Sequence, residues 1–332
     1  MNKPLNKKLL NQNDLIDINE LLQSDISIIN SLDIIKNNDN KSIIESIKDK
    51  MNKGLLIEDF IIEYTSNKFK IYFNSFKSFI SVITSFNLTT NIINKEKILK
   101  DNLISNLRYP LLLLFTTIIS IICFYILAFD NLINFSLTFN QDITLIYKIR
   151  FISLSIVYTL IFIILIILII YLYIIFNNKQ VLLYVFICNY IPINIIKEYL
   201  SYQFIIFYKQ CLLVDLKPYE TLKILKSINN KPIVSYFAYL INDSLDKGND
   251  LNESVNNKYI DKRLYRFINL SLYTNNILDL LNVYLDNSEK KFKSYFNKIT
   301  KFIQLFSYLM IGLLIILVYQ IILMPLEIIG GF

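Results

Sequence analysis

The chain has 332 residues, a mean hydropathy of +0.44, 34 Lys and Arg against 27 Asp and Glu for a net charge of +7, no histidine and five glycines. The lack of histidine excludes imidazole acid–base catalysis, the common nucleophilic triads and most zinc sites. With so few glycines there is no phosphate-cradling loop, so no catalytic residue, cofactor or metal is expected and the chain is not expected to be an enzyme.

From the amino terminus, the leucine-rich run LLQSDISIINSLDII (Leu21 to Ile35) reads as helix, turn, helix, with Asp25 between two apolar runs as a turn residue. Ile43, Ile47 and Met51 form a stripe at helical spacing that stops at Gly54, where a residue free to turn left-handed closes a helix. Glu58 and Asp59 follow at the next helix start, where they complement the macrodipole and are candidates to face a partner. The first hundred residues contain no apolar core of the signal-peptide kind.

Pro110 to Phe129 is then a run of twenty residues without a charge, Phe151 to Phe176 one of twenty-six, and Phe302 to Leu326 one of twenty-five. A bilayer core takes about 20 apolar residues per helix, so three transmembrane helices are expected. Val181 to Ile196 is shorter and contains Asn189, Pro192 and Asn194. It is expected as an interfacial or re-entrant helix, or as the start of a soluble bundle. None of the three long runs contains the charged side chain that usually marks a transport path.

Cationic residues flank the first and last runs on their amino-terminal sides: Lys95, Lys97, Lys100 and Arg108, then Lys290, Lys291, Lys293, Lys298 and Lys301. The loop between the first two runs has only Lys148 and Arg150. The positive-inside rule then places 1–108 and 177–301 in the cytoplasm, spans at 109–129, 151–176 and 302–326, a loop at 130–150 outside and the tail 327–332 outside. The amino terminus would be cytoplasmic and the carboxyl terminus extracytoplasmic. The two polar regions carry 15 cations against 13 anions and 17 against 11, an excess concentrated near the spans. That pattern suits anionic lipid headgroups, and no direct nucleic-acid contact is expected.

The second polar region repeats the first. An offset of 190 pairs Asp25 with Asp215, Leu32 with Leu222 and Ile35 with Leu225. An offset of 194 pairs Ile43 with Phe237, Ile47 with Ile241, Met51 with Leu245 and Gly54 with Gly248. The four additional residues are expected in a loop around Asn229 to Pro232. Internal periods of this kind set the fold, here all-α with two repeated helical bundles. Asp250 and Glu253 follow Gly248 as Glu58 and Asp59 follow Gly54, and are candidates for the same partner-facing role. Ile277, Leu280, Leu281, Tyr284 and Leu285 make an apolar stripe continued by Phe292, Phe296 and Ile299 into the last span, predicting one long helix capped by Asn275 or Asn276. Cys123, Cys188 and Cys211 have no paired spacing and are expected as small buried hydrophobes.

The order of these elements resembles the F-type inner-membrane platform proteins of type II secretion systems and type IV pili, including their smaller competence-pilus counterparts. The resemblance runs from about Asp14 to Pro325. It rests on the paired runs LLQSDISIINSLDII and LLVDLKPYETLKIL and on the glycine-led segments KGLLIEDF and KGNDLNESV. Further points of likeness are RYPLLLL with Pro110 at the entry to the first span, NYIPINIIKEYL with Pro192 in the link to the second domain, and ILMPLEII with Pro325 at the exit from the last span.

Where that family often has a Gly-Glu-x-x-Gly-like turn between two helices, the matching stretches are SFNLTTNI (Ser85 to Ile92) and SLYTNNI (Ser271 to Ile277), and Asp25 and Asp215 stand where it often has glycine. The resemblance implies two six-helix cytoplasmic bundles, a non-enzymatic platform role, a hexameric ATPase and pilin-like proteins as partners, and homo-oligomerisation. It places the chain in the cytoplasmic membrane of a machine for protein secretion, pilus assembly or DNA uptake. The alternatives are a three-span membrane tether and a small transporter subunit.

Overall fold

The computed structural model describes residues 9–55, 62–138, 144–177, 179–190, 194–274 and 276–329. Among them every regular element is helical, and the chain divides into two compact units. The first comprises Met1–Lys100 and Gln180–Lys290, the second Asp101–Lys179 and Lys291–Phe332.

In the first unit, α1 (Gln12–Gln23) opens on a capping box in which Asn11 accepts the Asp14 N–H at 2.8 Å and the Asp14 carboxylate accepts the Asn11 N–H at 3.1 Å. It closes at Asp25, whose φ of 59° is left-handed. There the Asp25 N–H donates to Leu22 and the Ile26 N–H to Leu21, a Schellman closure that satisfies carbonyls the helix end leaves open. Helix α2 (Ile28–Ile34) follows from its N-cap Ser27, and α3 (Lys41–Asn52) runs to Gly54, φ 78°. The Gly54 N–H donates to Met51 and the Leu55 N–H to Lys50, the same closure again. A 3-10 turn, Ile62–Tyr64, leads to α4 (Asn67–Lys77), which buries Phe69, Tyr72, Phe73 and Phe76 on one side.

Helix α5 (Val82–Leu127) starts after a break at Phe79 to Ser81, where the Ser81 hydroxyl accepts the Thr84 N–H at 3.2 Å. The stretch Ser85 to Ile92 is therefore helix interior and not the turn expected there. It contains neither glycine nor proline, Phe86, Leu88 and Ile92 are buried, and the Thr90 hydroxyl folds back onto the Phe86 carbonyl at 2.9 Å. Burial of that apolar face keeps the ladder continuous. Pro110 also lies inside α5, so this helix does not begin afresh at the apolar run.

The second unit contains the rest of α5, then α6 (Phe129–Leu137) and α7 (Thr144–Asn177). Most of the expected 130–150 loop is thus helical, apart from 139–143, which lie outside the described residues. Ile121 and Tyr125 of α5, Phe129 and Ile133 of α6 and Val157 of α7 form a core together with Met310 from near the carboxyl end. The Tyr125 and Ser153 hydroxyls share a hydrogen bond inside it, and Arg150 lies 4.3 Å from the Phe129 ring centre while pairing with Asp130 at 3.3 Å. Arg150, one of the two cations of the loop expected outside, therefore has its charge matched locally.

Back in the first unit, α8 (Gln180–Tyr190) packs on a later helix through Tyr184, so the apolar stretch from Val181 begins the bundle. Pro192 lies outside the described residues. Helix α9 (Asn194–Leu212) ends at Asp215, φ 60°, where the Asp215 N–H donates to Leu212 and the Leu216 N–H to Cys211. These are the hydrogen bonds seen at Asp25. Helix α10 (Pro218–Lys226) follows with proline in its first turn, where the missing N–H costs nothing.

Helix α11 (Pro232–Asp246) ends at Gly248, φ 88°, whose N–H donates to Leu245 while that of Asn249 donates to Ser244. The four additional residues do not lengthen the connection before Pro232. They are taken up by helix, α10 having 9 residues against 7 in α2 and α11 having 15 against 12 in α3, while the connection shortens by one residue, 227–231 against 35–40. Proline at a helix start explains this, because its fixed φ nucleates the next helix and does not extend the loop.

Helix α12 (Leu251–Val255) and α13 (Lys262–Thr274) lead to α14, which runs without interruption from Ile277 to Ile329 over 53 residues. Asn276 caps it, accepting the Asp279 N–H at 3.4 Å. Leu281, Tyr284 and Leu285 are buried along the predicted stripe, as is Phe292, while position 325 falls within the helix. Among the described residues two helices are long and apolar enough to cross a membrane, α5 and α14. Only 22% and 11% of their most apolar windows are buried, too little for the core helices of a water-soluble protein.

Candidate functional site

Among the described residues two clusters of largely buried charged side chains lie in the first unit, while Asp14, also buried, stands apart and accepts from the Asn11 N–H and the Asn40 amide. In the first cluster, Glu198 of α9 and Asp261, just before α13, converge on Arg263. The guanidinium donates through Nε and Nη2 to one Asp261 oxygen at 3.1 and 3.0 Å and pairs with Glu198, whose side chain is only 8% exposed. The Tyr284 hydroxyl adds a third donor to the same Asp261 oxygen at 3.1 Å, and the Asp261 N–H donates to Ser201 at 2.9 Å. Burial, with the Asp261 carboxylate beside it, raises the Tyr284 phenol well above its ordinary range. It remains a neutral donor.

The second cluster is centred on Glu96 of α5, also 8% exposed at the side chain. Lys68 of α4 and Lys231, at the start of α11, each approach a different carboxylate oxygen at 2.5 Å, and the Tyr72 hydroxyl donates at 3.3 Å. Here too burial and the neighbouring carboxylate push the tyrosine up. Lys231 and Glu96 come from opposite halves of the sequence, so this cluster ties the halves within one unit. In both clusters each charge faces its opposite and each phenol is held protonated. Such arrangements pair each charge within the cluster and offset the cost of burying it.

The residues singled out from the sequence lie elsewhere. Asp25 and Asp215 are exposed residues closing α1 and α9, and Gly54 and Gly248 close α3 and α11. A Cβ on either glycine would meet nothing within 4 Å, so only the backbone conformation calls for glycine there. Asp250 caps the five-residue α12 through its backbone carbonyl, which accepts the Ser254 N–H at 2.9 Å and the Ser254 hydroxyl at 2.8 Å. Its carboxylate and that of Glu253 are exposed, while Glu58 and Asp59 lie outside the described residues. Among the described residues no group of three or more His, Cys, Asp or Glu comes together in a way that could hold a metal ion.

Pro110 is buried in α5, where its ring deprives the Asn106 carbonyl of its helical donor. The Thr300 hydroxyl of α14 donates to that carbonyl at 3.3 Å. Sequence reasoning missed this contact and both ion clusters. The available signal for one was Glu198, a carboxylate in the largely apolar run from Asn194 to Leu212.

The three cysteines differ in environment and only Cys211 is buried, Cys188 being half-buried and Cys123 exposed on the apolar part of α5. Burial pushes the Cys211 thiol up to about 12 from an ordinary value of 9.0. At pH 8 its thiolate fraction is then on the order of one in ten thousand, and alkylation of Cys211 by a maleimide is expected only after unfolding. Between pH 9 and about 12 the unfolded chain loses this proton and the folded chain keeps it, so stability is expected to fall as the pH rises. Mass-spectrometric mapping of alkylated cysteines before and after denaturation checks the first expectation, and unfolding of wild type against Cys211→Ala across that pH range checks the second. No family model matches the chain, and no curated protein matches it significantly.

Proposed function

We propose that the chain is a non-enzymatic inner-membrane assembly platform of the type II secretion, type IV pilus and competence-pseudopilus kind. In this reading two repeated helical bundles lie in the cytoplasm and α5, α7 and α14 span the membrane, with the carboxyl terminus outside. The observation that carries the reading is the recurrence of left-handed helix closures. Asp25 and Asp215 close with identical hydrogen bonds, as do Gly54 and Gly248, each pair followed by helix starts in the same order. Chance does not readily place four such closures in register at offsets of 190 and 194. The helix starts Val82 and Ile277 extend the correspondence, each capped one residue earlier by a side chain accepting from the third helical N–H.

Such a platform engages a hexameric ATPase through its cytoplasmic bundles and guides pilin-like subunits out of the bilayer into a growing filament, working as a homo-oligomer. Helix α14 supports this role, because one unbroken helix joins bundle residues to the apolar run. An in-membrane crosslinking pull-down from the native cell tests the proposal. Recovery of a secretion-type hexameric ATPase together with pilin-like proteins is expected; their clean absence with the protein well expressed would leave a three-span tether.

Gly54→Val and Gly248→Val put a β-branched residue at φ 78° and 88°, at a cost of about 1–3 kcal/mol each. Each variant is expected to lose filament assembly through misfolding of the bundle it closes, scored by counting surface filaments. Assembly retained in both would sink the repeat assignment.

A further inference from the structure

Helix α8 has the sequence QVLLYVFICNY, with no charge on any face. A helix that is apolar all round needs cover on all sides, and the bundle covers α8 on one side only. There Tyr184 is 2% exposed, its ring 5.7 Å from that of Phe237, and its hydroxyl donates to the Tyr259 carbonyl. On the other side Leu182, Phe186 and Tyr190, spaced four apart, are 65%, 56% and 73% exposed. The Phe186 and Tyr190 rings lie 4.7 Å apart, so they form one apolar ridge.

We infer that this ridge lies in the lipid headgroup layer, making α8 an interfacial helix that rests on the bilayer surface while its Tyr184 side holds the bundle. The inference rests on the reading of α7 as a membrane span. Helix α7 ends at Asn177 and α8 begins at Gln180. Three peptide links, at most roughly 11 Å, separate those ends, so a span ending at the surface delivers α8 to that surface. At 11 residues α8 is too short to cross. Its exposed Tyr190 is of the residue type that sits at headgroup level. Interfacial helices bury an apolar face to a depth of about 5–10 Å and bind in proportion to the apolar area buried; here the face opposite the ridge is taken up by the bundle.

The absence of tryptophan makes the test clean, because one introduced indole reports one position. Phe186→Trp, Phe162→Trp in α7 and Leu213→Trp, exposed at the turn after α9, are each placed in the full chain and reconstituted into phosphatidylcholine–phosphatidylglycerol vesicles. Quenching by brominated lipids and by acrylamide is then compared. Phe186→Trp is expected to emit at shorter wavelength than Leu213→Trp, and to lose most emission to lipids brominated near the headgroup and little to acrylamide. Phe162→Trp is expected to lose most to lipids brominated near the chain end. Quenching of Phe186→Trp by acrylamide alone would put the ridge in water, and quenching by neither agent would put protein over it, such as a second copy. Either result overturns the inference. If Phe162→Trp also escapes brominated lipid, the span reading fails; if it alone is quenched, only the interfacial helix fails. Leu182→Trp repeats the test at the other end of the ridge should Phe186→Trp not fold.

Discussion

Arg263→Ala is expected to destabilise the first unit by about 3–5 kcal/mol, because it strips the cation from two carboxylates and leaves both uncompensated. Glu198 and Asp261 are 8% and 13% exposed at the side chain, so neither recovers its hydration in place. Denaturant titration in detergent, followed by tyrosine circular dichroism, measures the loss. Arg263→Lys keeps the charge but not the fork of donors that Asp261 accepts from, and should lie between wild type and alanine. The companion result separates lost charge balance from lost packing. Joint replacement of Glu198, Asp261 and Arg263 by apolar residues of similar size should restore much of the stability, since an ion cluster can be exchanged for packing when no member is stranded. A triple variant as unstable as Arg263→Ala would mean that the cluster acts through shape.

Phe207→Ala should cost a comparable amount, about 3–5 kcal/mol, through the cavity it leaves. Phe207 is fully buried, and its ring meets Tyr72 edge to face at a centroid distance of 5.2 Å. Tyr72 comes from the first half of the sequence and Phe207 from the second, yet both belong to one compact unit. Amide hydrogen exchange is therefore expected to accelerate in α4 and in the buried part of α5, as well as in α9. Faster exchange confined to 180–290 would show that the halves open independently.

Much of this fold is legible in the residues. The stripe Leu281, Tyr284 and Leu285 predicts a buried helix face because helical period and apolar side chains coincide there, and α14 buries that face. Gly54 and Gly248 mark helix ends since few other residues enter the left-handed region cheaply. The turn expected at Ser85 to Ile92 is helix interior, and the break falls at Phe79 to Ser81. Threonine and asparagine tolerate a helix when their neighbours are buried, so composition alone misleads at that point. The ion clusters were illegible for another reason. Glu96, Lys68 and Lys231 are far apart in sequence, and no local pattern states which charges the tertiary fold will bring together. Asp250 and Glu253, the carboxylates expected to face a partner, are exposed at the start of a short helix, and neither chain pattern nor packing names a partner for them.

Pro110 and Thr300 give the two longest helices a shared fastener. A helix that loses one internal hydrogen bond is weakest at that turn, and α5 has this turn at Asn106, just ahead of its apolar run. The missing bond is replaced from outside, by a hydroxyl on α14. Sliding or turning either helix past the other by one residue would strand a carbonyl, so the pair has a preferred register at that level, like a key in a notch. What marks that register is a threonine hydroxyl reaching across from one helix to a carbonyl of the other, not a bond within either backbone ladder.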